Sequence, residues 1–162
     1  MKKHSSVRTA SLVSAALLLF SPAAAQLGPD SDAPIDISGD AAEFQEETAV
    51  WSGNVRVVQD NVILAADRLE AELNEDGDFT TVTAIGQVRY SNGKEVITGK
   101  RAIFDNDART ITVIDDVVVT QGRQVMKAGA VIYWIDTGRV RFTPAPGQRI
   151  RGIFFTDNAE QT

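Results

Sequence analysis

The five residues GNVRV at Gly53–Val57 return as GQVRY at Gly86–Tyr90 and, in altered form, as DDVVV at Asp115–Val119, at spacings of 33 and 29 residues. The residues upstream keep nearly the same step. Phe44, Ala71, Phe104 and Tyr133 follow one another at 27, 33 and 29, and Ile111 and Val113 recur 29 positions on as Val140 and Phe142. A chain repeating at this interval is assembled from small units, each too small to bury its apolar face alone, so that each must cover the next.

Within a unit the runs are rich in Val, Ile and Thr and alternate with period two, and NEDGD, SNGK, DNDA and DTG fall between them as turns. Each unit therefore reads as strand, turn, strand, and the expected class is all-β with antiparallel strand pairs. Asn92-Gly93 is expected to form a type I′ turn, which needs positive φ at both central positions. LAADRLEAELNED can also be written as a helix, but its place in the repeat favours a strand.

Alternation assigns the faces. From one strand of each unit, Trp51, Val55, Val57, Val82, Val88, Tyr90, Ile111, Val113, Val117, Val119, Val140 and Phe142 share an apolar side. Phe44, Leu69, Phe104 and Tyr133 join it from the other strand. Arg56, Arg89, Arg101, Arg139 and Arg141 fall on the opposite side, and Trp134, out of parity with Tyr133, belongs outside or at a rim. This pattern fits a closed β-sandwich with a dry interior as well as an open sheet with a groove.

The ends limit where such a chain works. Lys2, Lys3 and Arg8 precede the apolar run ASLVSAALLLF and an Ala-x-Ala site at Ala23–Ala25, the order of a secretory signal cleaved before Gln26. The rival reading, a retained membrane helix, needs about 20 apolar residues, and Pro22 interrupts this run. The expected organisation is a signal peptide at 1–25, a flexible lead at 26–36, a β domain at 37–143 and a tail at 144–162. Removing 1–25 takes three of 16 basic residues and none of 22 acidic ones, leaving 13 − 22 = −9. That charge disfavours nucleic acid as a partner.

The chain has no cysteine, and its one histidine, His4, lies in the signal segment. Chemistry would fall to carboxylates, hydroxyls and Lys. The candidate acidic groups are Asp105 with Asp107, Asp115 with Asp116, and Glu75, Asp76 and Asp78. None has the Gly and Glu spacing of a calcium loop, and Asp and Asn serve tight turns by bonding their own backbone. No catalytic residue, metal or cofactor is expected. No phosphate-binding GxxxxGK[ST] loop occurs either.

The succession GDAAEF, GNVRVVQ, LAADRLEAEL, AIGQVRY, GKRAIFD, IDDVVVTQG, GAVIYWIDTGRV resembles the OstA-like proteins of lipopolysaccharide transport over about Ile37 to Phe142. It departs from them at Asp115-Asp116, where a Gly is expected, and in the tail from Thr143. The resemblance implies an open V-shaped jelly roll whose apolar interior groove holds the acyl chains of lipid A. It further implies a periplasmic member linking inner- and outer-membrane transport proteins of similar fold through its edge strands, and a head-to-tail homo-oligomer. Two other classes stay open: a structural β-repeat without lipid affinity, and an enzyme acting on envelope polysaccharide.

Overall fold

In a computed structural model of the protein, residue 31 and residues 33–155 are described. The expected signal peptide, most of the lead and the last seven residues of the tail lie outside them. Ten strands follow in order: β1 (Asp36–Ser38), β2 (Ala41–Gln45), β3 (Thr48–Gln59), β4 (Val62–Leu73), β5 (Phe79–Ser91), β6 (Glu95–Asp105), β7 (Thr110–Gln121), β8 (Gln124–Trp134), β9 (Arg139–Thr143) and β10 (Arg151–Ile153). All pair antiparallel in one sheet, each long strand beside its sequence neighbour. The LAADRLEAEL segment is strand β4.

At one edge β1 and β2 both pair with β3, interrupted at Gly39-Asp40. At the other, β9 and β10 both pair with β8, interrupted between Thr143 and Arg151. Each edge is thus one strand in two short pieces. No ladder joins the two edges among the described residues, so the sheet is open.

One irregularity crosses the whole sheet. Gly53-Asn54 of β3, Gly86-Gln87 of β5 and Asp115-Asp116 of β7 are each two residues facing a single residue of the next strand: Asp67, Lys100 and Gly129 respectively. All six bulge residues have positive φ, between 44° and 78°. A β-bulge bends its strand and increases twist. Aligned across the strands, the bulges crease the sheet into two arms. This is why the repeated motif recurs, and why Asp115-Asp116 is its third copy although it lacks Gly. Those two aspartates are mid-strand bulge residues, not turn residues as the sequence suggested.

The crease explains the exchange of side chains along it. In the first two copies the acid lies on the preceding side of the bulge, at the β1–β2 interruption and in β4: Asn54 Nδ2 donates to Asp40 Oδ2 at 2.8 Å, and Gln87 Nε2 donates to Asp67 Oδ1 at 3.2 Å. A Cβ on Gly86 would sit 2.9 Å from the Asp67 Cβ, so glycine is needed for space as well as for φ. In the third copy the arrangement is reversed, with Asp116 on the bulge and Lys100 opposite at 2.7 Å. There the glycine has moved to Gly99, where a Cβ would meet Val113 Cγ1 at 2.6 Å.

Two further expectations need correction. The β5–β6 turn is not type I′, because Gly93 alone has positive φ. Asn92 instead accepts with Oδ1 from the N–H groups of Lys94 (3.1 Å) and Glu95 (2.9 Å), an Asx arrangement. The lead is packed before residue 36: Ile35 lies against the core, and buried Gln59 donates through Nε2 to the Ala33 carbonyl at 3.0 Å. The tail contributes β10. Asp105 caps its turn, Oδ1 accepting from Ala108 N–H at 2.8 Å.

Candidate apolar groove

Register places the inward side chains in rows that run across the strands. On the first arm, Ala49, Ala71, Val82, Phe104, Ile111, Tyr133 and Val140 are successive partners from β3 to β9. A second row of that arm holds Trp51, Leu69, Ala84, Ala102, Val113, Val131 and Phe142. On the other arm, Ile37, Val57, Leu64, Tyr90, Ile97, Val119 and Met126 form a row from β1 to β8. The crease lies between the arms. Its own row, Val55 with Ala66, Val88 with Gly99 and Val117 with Ala128, forms the floor.

The two arms face one elongated cavity of about 500 Å³, reaching from Ile35 and Ile37 at one edge to Val140, Phe142 and Phe154 at the other. Of the sixteen residues expected on the apolar face, eleven line it: Val57, Leu69, Val82, Tyr90, Phe104, Ile111, Val113, Val119, Tyr133, Val140 and Phe142. Val55, Val88 and Val117 do not, being packed into the floor at 1–2 % exposure. They follow the bulge directly, where the arms converge and leave no free volume. Trp51 is half-buried against the core, and Phe44 is 72 % exposed on the edge strand β2, its ring edge-on to Trp51 at 5.4 Å. These five belong to the face but not to the cavity wall.

Strict alternation missed Leu64, Ile97 and Met126, although all three line the cavity. The cause is the crease. Odd strands insert two residues there and keep their parity, as in Val82, Ala84, Val88, Tyr90. Even strands insert one and change it, so β4 faces inward with Leu64 and Ala66 and then with Leu69 and Ala71. Only an extra residue placed at Asp67, Lys100 and Gly129 would have revealed the change.

The groove is polar at one rim. Asn92, Glu95, Gln121 and Gln124 are lining residues at the tips of β5–β8, and among the described residues Glu95 is the one lining residue with a formal charge. Asn92 Nδ2 donates to Glu95 Oε1 at 3.1 Å. Burial pushes the Tyr90 phenol above its usual 10.0, with the Glu95 carboxylate and the Tyr133 phenol adding to the effect and a hydrogen bond with Asn92 opposing it. Tyr90 is therefore neutral near pH 7.

Outside, Arg56, Arg89, Arg101, Arg139 and Arg141 are all exposed. Trp134 is half-buried beneath Arg139, whose guanidinium carbon lies 3.9 Å from the ring centroid. Glu75, Asp76 and Asp78 belong to the β4–β5 turn, where Asn74 Oδ1 accepts from the Asp76 and Asp78 N–H groups at 3.0 and 2.9 Å.

Comparison with known proteins agrees with this architecture. The solved structure of LptH, the LptA-homologous periplasmic component of the lipopolysaccharide transport device from Pseudomonas aeruginosa, superposes with a TM-score of 0.67. The match covers 80 % of this chain and 100 % of that one at 21 % identity, a likeness of fold. An uncharacterized protein of Rhizobium meliloti (strain 1021) is 26 % identical over 152 residues, covering 86 % of this chain and 82 % of that protein. Residues 36–139, from β1 to the start of β9, match the family described as LptA/(LptD N-terminal domain) LPS transport protein. The chain belongs to this LptA-like, OstA-like family of lipopolysaccharide transport proteins.

Proposed function

We propose that this protein carries lipopolysaccharide across the periplasm, with the lipid A acyl chains in the groove, and that it links inner- and outer-membrane transport proteins of similar fold through its open edges. The observation that supports the carrier reading most is the apolar-walled cavity between two arms of a sheet that stays open at both edges among the described residues. Burial of methylenes contributes about 0.8 kcal/mol each, so an acyl chain of about 12 carbons gains roughly 9 kcal/mol before ordering costs. That suffices to hold a lipid in transit, and it requires no catalytic group.

The edges support stacking. Among the described residues no further strand pairs with the outer side of either edge, where another strand can add. They also carry opposite charge. Residues 33–55 contain Asp36, Asp40, Glu43, Glu46 and Glu47 and no Lys or Arg, whereas residues 139–155 contain Arg139, Arg141, Arg149 and Arg151 and no Asp or Glu. Exposed apolar groups accompany both, Phe44 on the acidic edge and Val140, Ile153 and Phe154 on the basic one. Like edges repel and unlike edges attract, which makes any stack head-to-tail.

Sedimentation velocity on residues 26–162 with added lipopolysaccharide tests both halves. The expected result is lipid co-sedimenting with protein, in species that grow with concentration and shrink with salt. Glu43→Arg or Arg141→Glu should each reduce that growth while leaving the lipid bound. A monomer at every concentration removes the bridge, and lipid that stays with neither monomer nor stack removes the carrier.

A further inference from the structure

The rim of the second arm is built differently from the rest of the groove. Glu95, Gln121 and Gln124 are direct register partners across β6, β7 and β8, so their side chains form one continuous row facing the cavity. The next row inward, Ile97, Val119 and Met126, is wholly apolar. Asn92 extends the polar row through its hydrogen bond to Glu95. Among the described residues the other arm has no such row: Phe79 lines the cavity near its tip, and the Tyr133 phenol is its polar lining group. An amphiphile with its chains between the arms therefore meets a row of amide and carboxylate groups on one side only.

The chemistry of that row is selective. Each primary amide presents two donors and an acceptor, and the carboxylate accepts at both oxygens. Such a set matches hydroxyl groups, which donate and accept at once. It suits a sulfate or phosphate poorly, because those oxygens only accept and the Glu95 carboxylate repels them. Lys94 and Arg123 occupy the same two turns but are not part of the cavity wall, and Arg123 lies over the Phe155 ring at 4.2 Å.

We propose that Asn92, Glu95, Gln121 and Gln124 form a head-group subsite that selects amphiphiles bearing a sugar and seats that sugar on the second arm's rim. This rests on the groove reading above and adds to it the class of head group recognised and its orientation. Any phosphate on the same ligand lies beyond the row, toward solvent.

The test uses two surfactants with the same dodecyl chain, dodecyl maltoside and dodecyl sulfate, below their micelle-forming concentrations. Each competes for the groove of residues 26–162 against a fluorescent fatty acid. The unaltered protein should bind the maltoside about tenfold more tightly, the scale set by two or three partly exposed hydrogen bonds. In Gln121→Leu/Gln124→Leu the ratio should fall to near one, with sulfate binding undiminished. Glu95→Gln should strengthen sulfate binding more than maltoside binding. Gln121 and Gln124 are exposed, so the double variant tests the row without disturbing the core. Equal affinities in the unaltered protein, or a maltoside preference that survives the double substitution, overturn the subsite while leaving the groove reading intact. If neither surfactant displaces the fatty acid, both readings fall.

Discussion

Replacing Ile111 with Asp is expected to lower fatty-acid and lipopolysaccharide binding by about a hundredfold while leaving the fold in place. Ile111 lies at the middle of the first arm, between Phe104 and Tyr133 in its row, and its side chain faces the cavity without being fully buried. The carboxylate can stay hydrated when the groove is empty. A bound acyl chain would strip that water away without offering a partner, and an uncompensated desolvation of about 3 kcal/mol corresponds to roughly two orders of magnitude in affinity. Thr112→Asp, one residue along the same strand and on the other face, should change binding little. Val119→Asp repeats the test on the opposite arm. If Thr112→Asp and Ile111→Asp bind alike by fluorescence titration, the lipid does not lie between the arms.

The second large effect concerns the crease itself. Gly86→Val should destabilise the protein by about 3 kcal/mol, read as a lowered urea midpoint. Part of that cost is conformational, about 1–2 kcal/mol for an L-residue forced to the positive φ of 78° found there. The remainder is steric, because the added Cβ meets the Asp67 side chain, and overpacking of this kind costs about 1–3 kcal/mol. Gly77→Ala separates the two contributions. That glycine has φ of 86° but open space around its Cβ position, so only the conformational part should appear. Adding Asp67→Ala to Gly86→Ala should recover only the part of the steric cost set by the carboxylate group, because the Cβ of residue 67, 2.9 Å from the added Cβ, stays in place. A Gly86→Val midpoint equal to that of Gly77→Ala would mean that Asp67 does not press on the bulge.

Much of this architecture was legible in the sequence because the repeat is written in the residues that build it. Gly53 and Gly86 mark the bulge, the valines two residues on mark its floor, and period-two alternation marks the arms. What stayed hidden has a common physical origin. The crease changes the parity of β4, β6 and β8 but not that of β3, β5 and β7, so Leu64, Ile97 and Met126 point inward where unbroken alternation turns them outward. The same crease withdraws Val55, Val88 and Val117 from the cavity. They look in sequence like the best groove residues, yet they lie where the two arms meet.

The third copy was obscured by a swap. Asp115 and Asp116 occupy the left-handed positions, Lys100 takes the place of Asp67, and glycine moves to Gly99 on the facing strand. The local rule is one acid and one small residue at each crossing of the crease, on whichever strand, and a single-strand motif cannot express it. Asn92 is a smaller case of the same kind. Its side chain bonds the backbone of Lys94 and Glu95, giving a longer turn than the Asn-Gly pair suggests and placing Glu95 at the head of the rim row.

Site-specific photocrosslinking to lipopolysaccharide tests the groove most directly, with the reactive residue placed in turn at Ile111, Val119, Val117 and Arg89. Strong crosslinks are expected at Ile111 and Val119, which line the cavity on either side of the crease, and only background at Arg89 on the outer face and at Val117 in the packed floor. Equal labelling at Arg89, or labelling at Val117 alone, would contradict an open channel for hydrocarbon between the arms.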